Sequence, residues 1–440
     1  MVALIVGLVV GAGIGWVAKP IPPEYVAKSD LDKAQADLAQ VTANYNKLQA
    51  DYQALQKAGL TGEVTIGALL PLTGDLATYG ENSKAAAEFA AEEVNAFLNE
   101  SGAKWTLKVV TEDTETKPDV CLEKVTSFAA KGVTLMIGPM SSGELRNIKG
   151  YIDANKILVI SQSSTAPALG IADDYIFRFC PNDAWQGRAV ARLFYEDGIR
   201  YVVAAWRGDA WGDGLEEAAE KRFNDLGGTV VGRVRYAPEA KEFSAEAKAL
   251  ADAVSSAVST YGKDEVGVYY IGFEEVVVFM SACRDYDVLW GVKWYGSDGT
   301  VQSAVMIKNE AVAEFALNTT FNNPMFSPVE TAKFYTVRDR VKAVLGRTPE
   351  AYTYSTYDAV WALAYSLMTV NKYDSQAVRS VLPDVVKSLL GASGWVTLDA
   401  NGDRAPTDYD LWIIVQTAPG VYEWKLTGKW VLDTDSITRL

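Results

Sequence analysis

The sequence predicts an α/β protein with two successive doubly wound units, preceded by two helical segments of different character. Three observations carry this prediction. The chain has 440 residues, which is too long for one ordinary hydrophobic core. From Val64 onward, strand-like and helix-like segments alternate with short connections, as in a parallel sheet covered by helices. The alternation stops near residue 180 and then begins again, so we expect two such units.

The apolar N-terminal segment, residues 1–20, is predicted to be a transmembrane anchor. MVALIVGLVVGAGIGWVA carries no charge, and about 20 apolar residues are needed to span a bilayer as a helix. A signal peptide with an unusual start is the alternative, because the basic residues that usually open one are missing. Small residues recur every four positions and favour self-association, although glycine is also common in such helices. They are Ala3, Gly7, Gly11 and Gly15.

Residues 28–58 are predicted to form a coiled-coil stalk between the membrane and the globular body. Apolar residues there alternate spacings of three and four, which is the pattern of a heptad seam. They are Leu31, Ala34, Leu38, Val41, Tyr45, Leu48, Tyr52 and Leu55. The alternative is a single helix lying on the body, since alanine and tyrosine make a weak seam.

In the first unit, the strands are predicted from apolar runs and the helices from longer segments of helical spacing. The predicted strands are VTIGALLPL, TLKVVTED, TLMIGP and ILVIS. The predicted helices are residues 79–98, PDVCLEKVTSFAAKG and SGELRNIKGYIDANK.

The second unit follows RFCPND and repeats this alternation. Its predicted strands are YVVAAWR, TVVGRVRY, EVGVYYIG and VKWYGSD, and its predicted helices lie near 182–197, 211–227, 244–260 and 274–286. From about Phe315 we expect a further strand, several helices and a β-rich tail, YDLWIIVQTAPGVYEWKLTGKW.

The composition argues against several classes of protein. The net charge of −15 disfavours nucleic acid as a partner. The hydroxyl cluster SQSST stands where a hydrolase would place a nucleophile, but the chain contains no histidine and no S-x-x-K follows the cluster. Cys121, Cys180 and Cys283 lack metal-binding spacing, and their disulfide pairing stays open. We therefore expect no enzyme, no metal and no cofactor.

Three loops of the first unit follow predicted strands and are expected at the ligand-binding edge of the sheet. They are PLTGDLATYG, GPMSSGE and SQSSTAP. Ser141 and Glu144 fit a capping box, so a helix should begin at about Ser142 with free N–H groups that suit a carboxylate or phosphate. Alternatively, Ser141 is only a cap. The glycine patterns of nucleotide sites are absent from the sequence, which favours a small anion.

The sequence resembles the leucine/isoleucine/valine-binding protein family, the extracytoplasmic solute receptors of ABC transporters. The motifs, in order, are PLTGDLATYG, IGPMSSGE, VISQSSTAPAL, FRFCPNDAWQG, GDAWGDGLEEAA, YGSDG and YSTYDAV. The resemblance extends from about Val64 to Val415 and implies a type I periplasmic-binding fold, a Venus flytrap with two lobes joined by a hinge. It places lobe 1 at 62–180 plus 317–408 and lobe 2 at 181–316 plus 409–440.

The resemblance also implies a ligand-binding site for an amino acid. Ser142 would bind the α-carboxylate, Ser163 and Thr165 would contribute a carbonyl, a hydroxyl and an N–H, and Asp298 would bind the α-ammonium. The aromatic positions of the family fall on Tyr79, Trp211, Phe273 and Tyr352. The family usually has glutamate where Asp298 stands, so the ligand could sit differently here. Taken alone, Asp298 could be a turn residue, and the aromatic residues could be packing.

The sequence thus predicts a membrane-tethered solute-binding protein that delivers an amino acid, branched-chain or otherwise apolar, to an ABC transporter permease. Ligand would close the two lobes, and the closed form would be recognised. Self-association through the N-terminal helix and coiled coil is an open expectation. The alternatives are a surface structural protein, a ligand sensor, and a receptor for amides, urea or aromatic acids.

Overall fold

The computed structural model describes residues 28–57 and 59–440 of the chain. The predicted anchor, residues 1–20, lies outside the described residues. Among the residues that are described, no helix is both long enough and apolar enough to cross a membrane. Residues 28–57 and residues 60–440 fall into two separate compact units.

Helix α1 (Lys28–Lys57) is continuous over 30 residues, which confirms a helix in the region predicted as a stalk. The apolar side chains described along its predicted seam are exposed. They are Leu38 at 56%, Val41 at 62%, Tyr45 at 49% and Leu48 at 60%. Pairing of this seam with a second helix, and hence the coiled coil, stays a prediction.

The strands of residues 60–440 include two parallel sheets with matching strand order. The first sheet has five strands in the order β2-β1-β3-β4-β5 and the second has four in the order β7-β6-β8-β9. Their bounds are β1 Gly62–Leu70, β2 Trp105–Asp113, β3 Leu135–Ile137, β4 Leu158–Ser161, β5 Ile176–Arg178, β6 Tyr201–Arg207, β7 Thr229–Tyr236, β8 Val266–Ile271 and β9 Lys293–Tyr295.

The helices alternate with these strands and continue after β9. They are α2 Ala77–Glu100, α3 Pro118–Ala130, α4 Ser142–Asn155, α5 Asp183–Glu196, α6 Ala210–Asp225, α7 Ser244–Tyr261, α8 Val276–Cys283, α9 Asp287–Trp290, α10 Ala304–Lys308, α11 Glu310–Asn318, α12 Ala332–Leu345, α13 Ala351–Val370 and α14 Ser375–Val386. The alternation confirms the predicted doubly wound architecture. The helix predicted near 274–286 is found as α8, which begins two residues later and ends three residues earlier, and α9 follows beyond the predicted range.

A third sheet is formed by the C-terminal part of the chain. Four strands lie antiparallel in the order β10-β13-β14-β15. Their bounds are β10 Asn323–Phe326, β13 Tyr409–Ala418, β14 Val421–Val431 and β15 Ser436–Arg439, and a short hairpin is made by β11 Leu390–Gly391 and β12 Gly394–Trp395. The predicted β-rich tail is therefore confirmed.

The inner strands of both parallel sheets are buried on both faces, as expected when helices cover each side. In β1, Ile66 and Leu70 belong to the largest apolar cluster, whereas Leu69 belongs to a cluster on the opposite face. In β8, all six residues are buried. The sequences of these strands are therefore continuous apolar runs. The buried strands hold the loops at their carboxyl ends in fixed positions.

The chain passes between the two parallel sheets more than once. Residues 179–182 lead from β5 to α5, which packs against α6, and β10 leads from α11 to α12 and α13, which pack against α2. This connectivity places loops from both sheets around one shared cleft. The exact lobe boundaries stay a prediction.

The three cysteines are buried and free, so no disulfide joins Cys121, Cys180 or Cys283 to another described residue. Burial raises the pKa of each thiol. They contribute to the apolar core.

Candidate ligand-binding site

A small cavity lies where the carboxyl ends of β1 and β3 face those of β6 and β8. In each sheet the strand order reverses between these strands, and ligands of open α/β sheets bind at such positions. The lining residues are Leu76, Tyr79, Met140, Ser141, Ser142, Ser163, Trp211, Phe273, Asp298, Gly299 and Tyr352. The cavity is small, with a volume of about 20 Å³. The cleft is closed in this structure, because Thr78 and Tyr79 of α2 hydrogen-bond across it to Glu274 and Val301.

The structure brings the predicted site residues together. Tyr79, Ser142, Ser163, Trp211, Phe273, Asp298 and Tyr352 all line this cavity. Thr165 is only 3% exposed and does not line it, but its carbonyl oxygen accepts a hydrogen bond from Asp183 N at 2.9 Å. Residues far apart in the chain thus converge because their loops leave strands at facing sheet edges.

One wall of the cavity is the beginning of α4, which is fixed by a complete capping box. Ser141 Oγ accepts a hydrogen bond from Glu144 N at 3.2 Å, and Ser141 N donates to Glu144 Oε2 at 3.1 Å. The first N–H group that bonds along the helix is Leu145 N, which donates to Ser141 O. The N–H groups of Ser142 and Gly143 come before it and have no carbonyl partner within the helix. This helix start offers N–H groups and a positive dipole end to an anion.

The hydroxyl cluster after β4 holds two loops together. Ser163 Oγ donates to Met140 O at 2.7 Å, and Ser161 Oγ donates to Pro139 O at 2.7 Å. Ser142 Oγ accepts from Ala166 N at 3.1 Å and lies 2.9 Å from Ser164 Oγ. These serines act as hydrogen-bonding groups, and the loop they stabilise positions the α4 terminus.

Asp298, in the loop after β9, supplies a buried carboxylate to the cavity. It is 3% exposed, and burial raises its pKa from 3.8 to about 6. Tyr352 OH donates to Oδ2, and Asp298 N donates to Gln186 Oε1 at 2.9 Å. Oδ1 has no hydrogen-bond partner among the described residues. A buried carboxylate oxygen without a partner suits a cationic group.

Aromatic side chains form the apolar wall. The rings of Trp211 and Phe273 stack with centroids 4.5 Å apart and planes at 16°. Gly299 permits this packing, because a Cβ there would lie 2.7 Å from the Trp211 ring and 2.5 Å from Gly272 O. Tyr79 OH donates to Val301 O at 2.7 Å, so this residue of α2 also contacts the loop after β9.

A second set of contacts, which was not predicted from the sequence, joins the two sides of the cleft outside the cavity. Glu274 follows β8 and accepts hydrogen bonds at the start of α2, from Thr78 Oγ1 at 2.5 Å and Thr78 N at 3.3 Å. Glu274 N donates to Asp75 O at 3.0 Å. Since Leu76, the N-cap of α2, makes no side-chain cap, Glu274 caps this helix from the facing sheet.

Comparison with known proteins agrees with this geometry. Residues 63–416 match the family model described as periplasmic binding protein. The uncharacterised protein MJ1266 of Methanocaldococcus jannaschii is 34% identical over 395 residues, covering 85% of this chain and 91% of that protein. The Leu/Ile/Val-binding protein BraC3 of Rhizobium johnstonii is 26% identical, covering 80% and 91%.

Among solved structures, the leucine-binding protein LivK of Thermotoga maritima superposes with a TM-score of 0.69 at 21% identity, covering 82% of this chain and 97% of that one. The chain belongs to the periplasmic binding protein family, and its residues 63–416 carry the family fold. As a member of this family it is an extracytoplasmic solute-binding protein and not an enzyme.

Proposed function

We propose that this chain binds an amino acid with an apolar side chain in the closed cleft and presents it to an ABC transporter permease. The observation that carries the proposal is the pairing of opposite charges on one cavity. The α4 terminus at Ser142 favours an anion, and the unpartnered oxygen of Asp298 favours a cation. A zwitterion satisfies both, and Leu76, Met140, Trp211 and Phe273 offer apolar contact to its side chain.

The individual roles follow from this geometry. The N–H groups at Ser142 would receive the α-carboxylate, and Asp298 and Thr165 would accept from the α-ammonium, with the carbonyl of Ser163 nearby. An amide, urea or an aromatic acid would leave the Asp298 carboxylate without a cation, which disfavours these alternatives.

A thermal-shift screen of the full chain in mild detergent tests the proposal, using the twenty proteinogenic amino acids, short amides and aromatic acids. A ligand present at about 100 times its Kd should add about 2.7 kcal/mol of stability. We expect an amino acid to stabilise the protein. Asp298→Ala and Thr165→Val should each weaken binding about 10- to 100-fold, since each removes a hydrogen bond to a charged group. Stabilisation by uncharged amides or aromatic acids alone would refute the amino-acid assignment.

We further propose that residues 1–20 tether the protein to the membrane and that 28–58 act as a coiled-coil stalk. The uncharged N-terminal sequence supports the tether, and the exposed Leu38, Val41, Tyr45 and Leu48 support pairing of the stalk with a second copy. In the same proposal, 62–180 with 317–408 and 181–316 with 409–440 are the lobes that close on the ligand.

A further inference from the structure

Asp183 is a second buried carboxyl beside Asp298, and the role assigned to Asp298 does not account for it. It is the first residue of α5, is fully buried and, like Thr165, does not line the cavity. Its Oδ1 accepts a hydrogen bond from Gln186 Nε2 at 2.9 Å, and Gln186 Oε1 accepts from Asp298 N at 2.9 Å. Asp183 N donates to Thr165 O at 2.9 Å. One continuous hydrogen-bonded path therefore runs from Thr165 through Asp183 and Gln186 to Asp298.

Three buried oxygens along this path lack a hydrogen-bond partner among the described residues. They are Asp183 Oδ2, Asp298 Oδ1 and Thr165 Oγ1. The Thr165 hydroxyl is near enough to the Asp183 carboxyl to lower its pKa, yet neither oxygen has a partner of regular hydrogen-bond geometry. Each of these oxygens can still accept a hydrogen bond, so a group that carries several N–H donors would satisfy them together.

The charges around Asp183 do not supply such a group. Arg178, a cation whose charge acts on Asp183, is paired with Asp403, and burial followed by the neighbouring Asp298 raises the pKa of Asp183 well above its ordinary value. The other titratable groups facing the two carboxyls are neutral acids whose own pKa values are raised by burial. They are Tyr79, Cys180, Tyr269, Tyr352 and Tyr409.

We propose that Asp183 is a second carboxylate of the cation-binding end of the site, and that Asp183, Asp298 and Thr165 together accept the three N–H donors of one primary ammonium group. The inference rests on the proposed function, because it names the chemistry of that same site. It makes the site selective for a primary amine over secondary amines such as proline or an N-methyl amino acid, which present fewer donors.

A consequence is that ligand binding releases a proton. Without a cation, two carboxyls in one buried site do not both ionise readily, and an ammonium between them favours the doubly ionised state. Binding at neutral pH should therefore release about one proton, chiefly from Asp183. Affinity should accordingly fall as the pH is lowered.

The test is isothermal titration calorimetry of the full chain with the tightest-binding of the twenty amino acids and with its N-methyl derivative. Titrations at about pH 7 in phosphate and in Tris, which differ in ionisation enthalpy, count the protons released. We expect about one proton per ligand, and a loss of about 10-fold or more in affinity on N-methylation. In Asp183→Asn, which can keep the bond to Gln186, we expect affinity to fall about 10- to 100-fold and proton release to fall close to zero.

Glu216→Gln is the matched control, because burial also raises the pKa of Glu216, to about 7, and this residue takes no part in the hydrogen-bonded path from Thr165 to Asp298. It should leave affinity and proton release unchanged. Proline as the tightest ligand, wild-type binding without proton release, or unchanged affinity in Asp183→Asn would overturn the inference and spare the proposed function. Failure of every amino acid to bind would overturn both. If Asp183→Asn folds poorly, the number of protons that the wild type releases on binding still tests the inference.

Discussion

Burial of the Asp298 carboxyl acts in opposite directions on folding and on binding. It strengthens any hydrogen bond from a cationic ligand, because water does not compete inside the closed cavity. In the ligand-free protein the same burial penalises the charged form, which raises the pKa from 3.8 to about 6. The residue thus costs stability until a cation binds, as is common at functional sites.

This opposition gives a pH dependence of known sign. Between about pH 4 and pH 6 the native state of the ligand-free protein holds a proton that the unfolded state has lost, so the free energy of unfolding falls as the pH rises. Asp298→Asn removes the ionisation penalty. At about pH 7.5 the ligand-free variant should be more stable than the wild type by about 2–3 kcal/mol, and the difference should vanish below about pH 4. Thermal or urea unfolding at both pH values measures this, and a variant less stable at both would contradict it.

At the residue scale, the sequence indicated the polar site residues through their positions after strands and through the family resemblance. Ser142, Ser163 and Asp298 line one cavity as that reasoning expected. Asp183 was missed, although it stands in the quoted motif FRFCPNDAWQG. An aspartate directly after an N-cap, here Asn182, is common at helix starts, and only the structure shows that its Oδ2 is buried and without a hydrogen-bond partner among the described residues.

At the scale of elements, the start of α4 is both a structural cap and a wall of the site. Local sequence determines it, since Ser141 and Glu144 satisfy each other's backbone N–H groups. The capping box was therefore predictable. The late start of the helix predicted near 274–286 was not, because Glu274 is held outside α8 by its contacts with Thr78, 196 residues away in the chain.

Ser141→Ala should lower the free energy of unfolding by about 1 kcal/mol and also weaken ligand binding, because the N–H groups at Ser142 lose their fixed orientation. Thr331 offers a matched control. Its side chain caps α12 by accepting from Phe334 N at 3.2 Å, and it does not line the cavity. Thr331→Ala should cost similar stability and leave affinity unchanged. If Ser141→Ala and Thr331→Ala bind the ligand with the same affinity, the α4 terminus takes no part in binding.

At the scale of the whole molecule, the contacts around Glu274 stabilise the closed cleft without lining the cavity. Glu274→Ala removes the hydrogen bonds to Thr78 and to Ser303 Oγ, the latter at 2.7 Å. We expect a larger radius of gyration for the ligand-free protein in X-ray scattering and a loss of about 10-fold in affinity, since the closed form would be less populated.

Lys241→Ala tests whether the loss of any charged contact across the cleft would have the same effects as Glu274→Ala. Lys241 is exposed and its ion pair with Asp75, at 3.5 Å, should contribute little. The variant should match the wild type in both measurements. If it opens the protein as much as Glu274→Ala does, the capping of α2 by Glu274 is not what holds the cleft closed.

The exposed seam of α1 leads to a prediction for the oligomeric state. Light scattering of the full chain in detergent should show a dimer or higher oligomer. Replacing both Leu38 and Leu48 by glutamate should shift the protein toward the monomer, because charges at seam positions oppose pairing. Replacing the exposed Gln40 and Asn44 by glutamate is the control, since both lie off the seam. A wild-type monomer would remove the coiled-coil proposal and leave the binding site unaffected.

A crystal structure of the chain with its tightest-binding amino acid tests the central claim most directly. We expect the ligand carboxylate about 3 Å from the N–H groups that begin α4 at Ser142, and its ammonium about 3 Å from oxygens of Asp298, Asp183 and Thr165. A ligand bound outside this cavity, or one whose ammonium faces α4, would contradict the account.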